Sequence, residues 1–352
     1  MVKSVYVLLF TLLMLLGCEK APQPQEKQLL HTMRGEPVDA KRGVKFPEDH
    51  GAHLAQGIEW WYITATLTAE TGETFGAQWT LFRTQVPLPF ESTWWDDQLY
   101  FAHFALQHEQ KHVAFERYAR AGQAQITSQP FTAFLDDWSL KSQARNFLPL
   151  QMKAKQGDYE IDVSLTNSPL TLHGDNGYSQ KTQSGHASYY FSYPFLETAG
   201  TLTFAGKEYK VTGNAWYDRE WSASLIDKNQ MGWDWFSLVS GTDKSQKTGL
   251  MLFCIRDAQQ NYDYCSGTHI DEKGQTQQIL KQDILLEKLK HISIDNKRYP
   301  SKWRVTLQNI EPIVIETITK DSVNKLSIQY WEGRVKANGG FKGMGYAELF
   351  GY

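Results

Sequence analysis

From Trp60 onward the chain is a succession of short β-forming runs divided by turn signals, with almost no 3.6-residue helical period. Trp60–Thr68 alternate towards Glu70-Thr71-Gly72-Glu73, and Phe75–Arg83 return. Leu99–Gln107 and His112–Arg120 pair around Glu109-Gln110-Lys111. Tyr159–Leu165, Leu170–His173, Leu202–Phe204, Tyr209–Trp216 and Trp233–Val239 follow. Leu250–Arg256, Tyr262–Gly267, Trp303–Gln308, Ile313–Thr319, Leu326–Trp331 and Met344–Phe350 complete the series. Asp283–His291 alone leans towards a helix, and reads equally well as a strand. Short strands at regular spacing predict an all-β sandwich or barrel. Their number suits two barrels in succession, with a break near Ser222–Lys228.

The N-terminus belongs to an address. Lys3 precedes an apolar run, Val5–Leu16, too short to span a bilayer stably. It ends in Leu15-Leu16-Gly17-Cys18, which resembles a bacterial lipobox. The expectation is a signal peptide over 1–17, lipidation of Cys18 and anchorage on the periplasmic side of the envelope. Glu19, in place of an inner-membrane-retaining Asp, leans towards the outer membrane. Residues 18–45 are polar, carry three prolines and predict a tether. Roughly 300 residues remain, which predicts two domains, 46–224 and 225–352. The net charge of −3, with both signs interspersed and no basic run, excludes a nucleic-acid partner. No second apolar stretch is long enough to cross a membrane. Cys254 and Cys265 flank the turn-like Asp257-Ala258-Gln259-Gln260-Asn261. On paired antiparallel strands they would face each other at about 4.5–5.5 Å between Cα atoms, which predicts a disulfide in an oxidising periplasm.

Three segments join tryptophan to carboxylates: Glu59-Trp60-Trp61-Tyr62, Trp216-Tyr217-Asp218-Arg219-Glu220-Trp221 and Trp233-Asp234-Trp235-Phe236. They hold half of the twelve tryptophans, so they mark where chemistry or a structural knot is concentrated. A carboxylate beside indoles is unfavourable unless it is paired, hydrogen-bonded or used. Strand parity puts Trp216, Asp218 and Glu220 on one face, and Tyr217, Arg219 and Trp221 on the other. Glu59 and Trp61 oppose Trp60 and Tyr62; Trp233 and Trp235 oppose Asp234 and Phe236. One reading is an apolar cavity lined by Trp60, Trp61, Tyr62, His103, Trp216, Trp221, Trp233 and Trp235. A protonated carboxyl of Asp218, Glu220 or Glu59 would there protonate an alkene, and ring faces would stabilise the cation. That is hydratase or isomerase chemistry, with no cofactor and no metal. The other reading is structural: Arg219 pairs with a carboxylate, stacks on Trp221 and pins the fold. Spacing alone leaves both open. His103 reads as a core histidine or a cavity-facing acid/base, and His50 and His53 carry no metal pattern. No G-x-S-x-G, H-E-x-x-H or P-loop occurs, so serine-hydrolase and nucleotide chemistry lack support.

These segments also carry a family resemblance. Gly57-Ile58-Glu59-Trp60-Trp61-Tyr62, Ala77-Gln78-Trp79-Thr80-Leu81-Phe82-Arg83, Leu172-His173-Gly174-Asp175-Asn176-Gly177-Tyr178-Ser179 and Ala187-Ser188-Tyr189-Tyr190-Phe191-Ser192 match it in order. Gly213–Trp221, Gly232–Phe236, Tyr330-Trp331-Glu332-Gly333 and Gly345–Tyr352 continue it. The chain resembles the AttH-like and carotenoid 1,2-hydratase (hydroxyneurosporene synthase) family of secreted proteins. The resemblance implies two lipocalin-like β-barrels in tandem. It also implies hydratases acting on isoprenoid double bonds, pericyclases of similar fold, and bacterial members encoded beside ABC-transporter permeases. Arg219 stands where the hydratases carry His; an always-charged Arg cannot donate a proton as His can, which favours the pin. The expected partners are an apolar, lipid- or isoprenoid-like molecule, the membrane through the lipid anchor, and such a permease. A non-catalytic envelope scaffold is the remaining alternative.

Overall fold

The computed structural model describes residues 35–87, 92–227, 229–241 and 247–352. The signal peptide, Cys18 and most of the tether lie outside the described residues. The fold is all-β. The first sheet contains β1 (Ile58–Ala69), β2 (Thr74–Gln85), β3 (Gln98–His108), β4 (Lys111–Arg120), β5 (Ala124–Ser128), β6 (Phe131–Leu135) and β7 (Trp138–Ser142). It continues with β8 (Leu150–Gln156), β9 (Tyr159–Thr166), β10 (Thr171–Leu172), β11 (Tyr178–Gln180), β12 (Ala187–Phe204) and β13 (Lys207–Ser222). The second contains β14 (Gln230–Ser240), β15 (Thr248–Asp257), β16 (Tyr262–Ile270), β17 (Thr276–Ile279) and β18 (Ile284–Ile294). It ends with β19 (Lys297–Leu307), β20 (Ile313–Thr317), β21 (Val323–Asn324), β22 (Tyr330–Gly339) and β23 (Gly343–Phe350).

The strands form a 13-stranded and a 10-stranded antiparallel sheet, in the orders β4-β3-β2-β1-β13-β12-β9-β8-β7-β6-β5, with β10 and β11 also pairing β12, and β17-β16-β15-β14-β23-β22-β20-β19-β18, with β21 also pairing β22. Each sheet curls around its own core, as tandem lipocalin-like barrels do. The ambiguous stretch at Asp283–His291 is strand from Ile284 on, in β18, with Asp283 ending a 3-10 turn. The sequence predicts no strand between 121 and 158, yet β5–β8 lie there. β5, β6 and β7 are only five residues each and turn at Gln129-Pro130 and at Asp136, whose φ is 54°. Runs this short carry little period-2 signal. β12 is likewise far longer than the three residues the pattern reveals.

Burial explains the sequence texture. β8 and β9 alternate, one face to the core and one to water. β1, β2, β3 and β15 are buried on both faces along most of their length, and β13 over Ala215–Ser222. One face lines a barrel interior and the other packs against the opposite sheet. That second face forms a shared cluster including Tyr62, Tyr190, Trp216, Trp235, Met251 and Tyr346. At Gly76 the sheets come so close that a Cβ would overlap the Tyr346 hydroxyl and meet Arg334 Cδ at 3.0 Å. Cys254 lies directly opposite Cys265 across β15 and β16, with 4.1 Å between Cα atoms, and the two are joined.

Each barrel interior holds a buried arginine–carboxylate knot. In the first, Glu59 accepts from Arg83 Nε at 2.6 Å, from Arg219 and from the His53 backbone N–H at 2.9 Å. The Arg219 guanidinium lies 4.0 Å over the Trp61 ring and 5.1 Å from Trp221, and donates to Gly51 O at 2.6 Å. Burial would raise the Glu59 pKa; Arg219, His53 and Arg83 outweigh it and hold the carboxyl below its ordinary range. Glu59 is therefore an ionised structural anchor and not an acid in a cavity. Trp61 and Trp221, expected as ligand contacts, belong to the same barrel interior. In the second barrel Asp234 accepts from Arg256 Nε at 3.1 Å, Tyr262 at 2.6 Å, Tyr352 at 2.7 Å and Trp303 Nε1 at 3.2 Å. Removing one partner strands the other charge in the core. Arg219→Met should lower the unfolding free energy by about 3–5 kcal/mol, read by urea denaturation; a loss under about 1 kcal/mol would refute the anchoring role.

Candidate functional site

A cavity of about 120 Å³ lies between the two sheets. β1 presents Trp60 and Tyr62 to it, and β13 presents Asp218 and Glu220. The register sets these four together: Trp60 faces Glu220 and Tyr62 faces Asp218. Across the gap β14 contributes Trp233 and Trp235, and β23 contributes Glu348, which pairs with Trp235. His103, Phe101 and Phe82 close one side; Tyr190, Phe253 and Ile255 close another. Of the expected contacts, Trp60, Tyr62, His103, Trp233 and Trp235 line the cavity. Trp216 stands behind Asp218 and supports it.

Asp218 is almost wholly buried, at 2% exposure. Its Oδ1 accepts from Trp216 Nε1 at 2.7 Å and from the Ser192 hydroxyl. Burial pushes its pKa up to about 7; hydrogen bonds from Ser192, Trp216 and Tyr190 oppose the rise, and Glu220 adds to it. Ser192 in turn lies 2.7 Å from His173 Nε2, and His173 Nδ1 lies 2.9 Å from Thr268 Oγ1 on β16. Burial lowers the His173 pKa to about 3, so the imidazole is neutral. Asp218 is thus held by a hydrogen-bonded string that reaches the second sheet. Glu220, the other expected acid in the cavity, accepts from Ser188 at 2.5 Å and pairs with Lys181 at 2.8 Å. Lys181 also lies 4.1 Å over the Phe253 ring.

Two further acids stand here. Glu348 accepts from Trp233 Nε1 at 2.6 Å, and burial raises its pKa to about 7. Glu332, its cross-strand neighbour, accepts from Tyr62 Oη at 2.5 Å; burial, then the charge of Glu348, hold it well above the carboxylate range. Four carboxyls therefore crowd one apolar region with Lys181 as the cation in the lining. Asp218, Glu332 and Glu348 are too buried to ionise together, and protons are retained. Both glutamates sit in strand segments read only as motif, Tyr330-Trp331-Glu332-Gly333 and Ala347-Glu348-Leu349. Their signal is a glutamate at an alternating position between buried aromatic or aliphatic neighbours. Among the described residues no group of three or more His, Cys, Asp or Glu is arranged to hold a metal ion.

A double lipocalin-like body with an aromatic, acid-bearing cavity between its sheets is the class this architecture defines. The chain belongs to the AttH-like family, whose model matches residues 37–352. It is similar in structure to an AttH from Nitrosomonas europaea, at 32% identity and a TM-score of 0.80, covering 90% of this chain and 99% of that one. Kievitone hydratase from Nectria haematococca shares the fold at 14% identity and a TM-score of 0.68, over 91% of this chain and 96% of its own. CghA in complex with Sch210972 does so at 10% identity and a TM-score of 0.57, over 92% and 96%. No curated protein matches the chain.

The acids set a pH dependence. Folded Asp218 keeps its proton to about pH 7, whereas an unfolded aspartate releases it near pH 4. Between those values the folded state binds more protons, so stability falls as pH rises, and the loss is complete above about pH 7. Asp218→Asn should match the wild type near pH 4 and exceed it by roughly 1–3 kcal/mol near pH 8. Chemical denaturation at the two pH values checks this; a parallel offset at both would show that Asp218 does not carry the shift.

Proposed function

We propose that the protein binds an apolar, isoprenoid- or lipid-like molecule in the inter-sheet cavity and acts on it by general-acid chemistry at Asp218. The reading is carried by one observation: a buried carboxyl that holds its proton to about pH 7 among aromatic ring faces. The Asp218 proton passes to one carbon of an alkene, whose π electrons form the new C–H bond. The adjacent carbon becomes a cation, and Asp218 a carboxylate. The faces of Trp60, Trp233 and Trp235 stabilise that cation. Water then adds and returns a proton to Asp218, which is hydration. Loss of a proton from the neighbouring carbon to the Asp218 carboxylate instead is isomerisation. Trp216, Ser192 and the His173 string keep Asp218 oriented, and Glu348 supplies a second protonated carboxyl. Kievitone hydratase, similar in fold, bears a hydratase name. Arg219 takes no part in proton transfer in this scheme, because it faces the opposite side of β13.

The N-terminal sequence places this chemistry, in our proposal, on a lipid anchor at Cys18, facing the periplasm from the outer membrane. The partner would be an ABC-transporter permease that hands on the same apolar molecule. Cys18→Ala should shift the protein from the membrane to the soluble periplasmic fraction.

Turnover of prenyl alkenes in heavy-oxygen water tests the chemistry, with product mass reporting addition of solvent oxygen. Asp218→Asn should lower the rate at least about a hundredfold while tryptophan quenching by the substrate persists. The wild-type rate should fall as pH rises through about 7. Undiminished turnover in Asp218→Asn would sink the assigned role. Binding without turnover in the wild type would reduce the function to carriage of the ligand.

A further inference from the structure

A chain of buried amides and rings ends at the cavity, and its direction can be fixed from one unambiguous donor. The backbone N–H of Arg334 donates to Gln107 Oε1 at 3.2 Å. That assigns the other branch of the Gln107 amide as NH₂. Gln107 Nε2 donates to Ser322 Oγ and Glu332 O, each at 3.0 Å, and also lies 3.1 Å from His112 Nδ1; an amide NH₂ cannot accept, so Nδ1 does not carry a hydrogen towards it. His112 then carries its hydrogen on Nε2, which donates to Asn324 Oδ1 at 2.8 Å. Burial, the largest influence, lowers the His112 pKa to about 4, keeping one hydrogen on the ring. Asn324 Nδ2 donates to Gln78 Oε1 at 3.0 Å, and Gln78 Nε2 donates to Tyr330 Oη at 2.8 Å. Tyr330 Oη lies 2.7 Å from His103 Nδ1. Its oxygen accepts from Gln78, and among the described residues His103 Nδ1 is the acceptor that its buried hydrogen meets.

His103 is buried, at 1% exposure, and burial lowers its pKa to about 3. A neutral ring whose Nδ1 accepts must hold its hydrogen on Nε2. That Nε2 is buried and has no hydrogen-bond partner among the described residues, although the ring lines the cavity. A buried donor without a partner is unfavourable. We propose that His103 Nε2–H reads a hydrogen-bond-accepting oxygen on the ligand, so that the cavity selects apolar molecules bearing a carbonyl, ether or hydroxyl oxygen over pure hydrocarbons. This rests on the reading that the cavity binds an apolar ligand, and adds to it a polar group at one defined place. His103 positions the ligand; the proton on its Nε2 is not transferred. The six side chains come from β2, β3, β4, β21 and β22, so both sheets combine to set the hydrogen on one ring nitrogen.

Two measurements on the folded protein test this. In a two-bond proton–nitrogen correlation spectrum of histidine-labelled protein, the signals lost in His103→Gln should show a protonated Nε2 and a bare Nδ1. A proton on Nδ1 overturns the assignment. Binding is then read by quenching of tryptophan fluorescence with two probes, geranylacetone and the hydrocarbon in which its C=O is a CH₂. The ketone-to-hydrocarbon affinity ratio should fall about tenfold in His103→Phe, the scale of one neutral hydrogen bond. It should be retained in His103→Gln, whose amide restores a donor. Tyr330→Phe, which frees Nδ1 to take the hydrogen, should also lower the ratio. An unchanged ratio in His103→Phe overturns the role of His103 while leaving the cavity as a binding site. Failure of the wild type to bind either probe overturns both readings together.

Discussion

Alternation along one strand, β13, sets opposite carboxyl environments back to back. Arg219 points into the first barrel and holds Glu59 ionised; Asp218 and Glu220, one residue to either side, point into the space between the sheets. On the inner side, full ion pairing and stacked indoles satisfy the buried charge. On the outer side the only compensation for Asp218 is neutral donors, and the proton stays. The same period divides β14, with Asp234 in the knot of the second barrel and Trp233 and Trp235 at the cavity. Slipping β13 by one residue would place Arg219 in the cavity, and slipping β14 would place Asp234 there. The knots therefore lock register within each barrel, and the cavity side inherits its geometry from the knotted side.

Much of this was legible in the sequence, because period-2 alternation needs no knowledge of the fold. The separation of Trp60 and Tyr62 from Glu59 and Trp61 follows from parity alone, as does that of Asp218 from Arg219. Parity does not say which face meets a cavity. By parity Glu59, Trp61 and Trp221 are as eligible as their neighbours; the partners of Glu59, which are Arg83, Arg219 and the His53 backbone, set them apart, and parity reveals none of these. The β5–β8 region was illegible for a different reason: five-residue strands separated by tight turns give too few repeats to register. Glu332 and Glu348 were visible as residues but not as a pair, since their proximity is created by β22 pairing with β23.

Polar groups at the cavity fall into two kinds. Asp218, Glu332 and Glu348 are kept in place by donors one bond away, and their protonation follows from burial and mutual repulsion. His103 is governed at a distance, through side chains whose donor and acceptor ends are forced in sequence from a backbone amide. A network with every member satisfied except the last is an expensive arrangement for a protein that is merely packing its core. It gives the cavity a polar contact of fixed sense, next to acids that hold protons of their own.

Gly76 bears on the width of the gap between the sheets. The missing Cβ lets β2 settle against Tyr346 and Arg334, neither of which lines the cavity. The bore between the sheets is thus gauged by a spacer outside it. A side chain at position 76 would push the seam apart and widen that gap, with every wall residue left as it is.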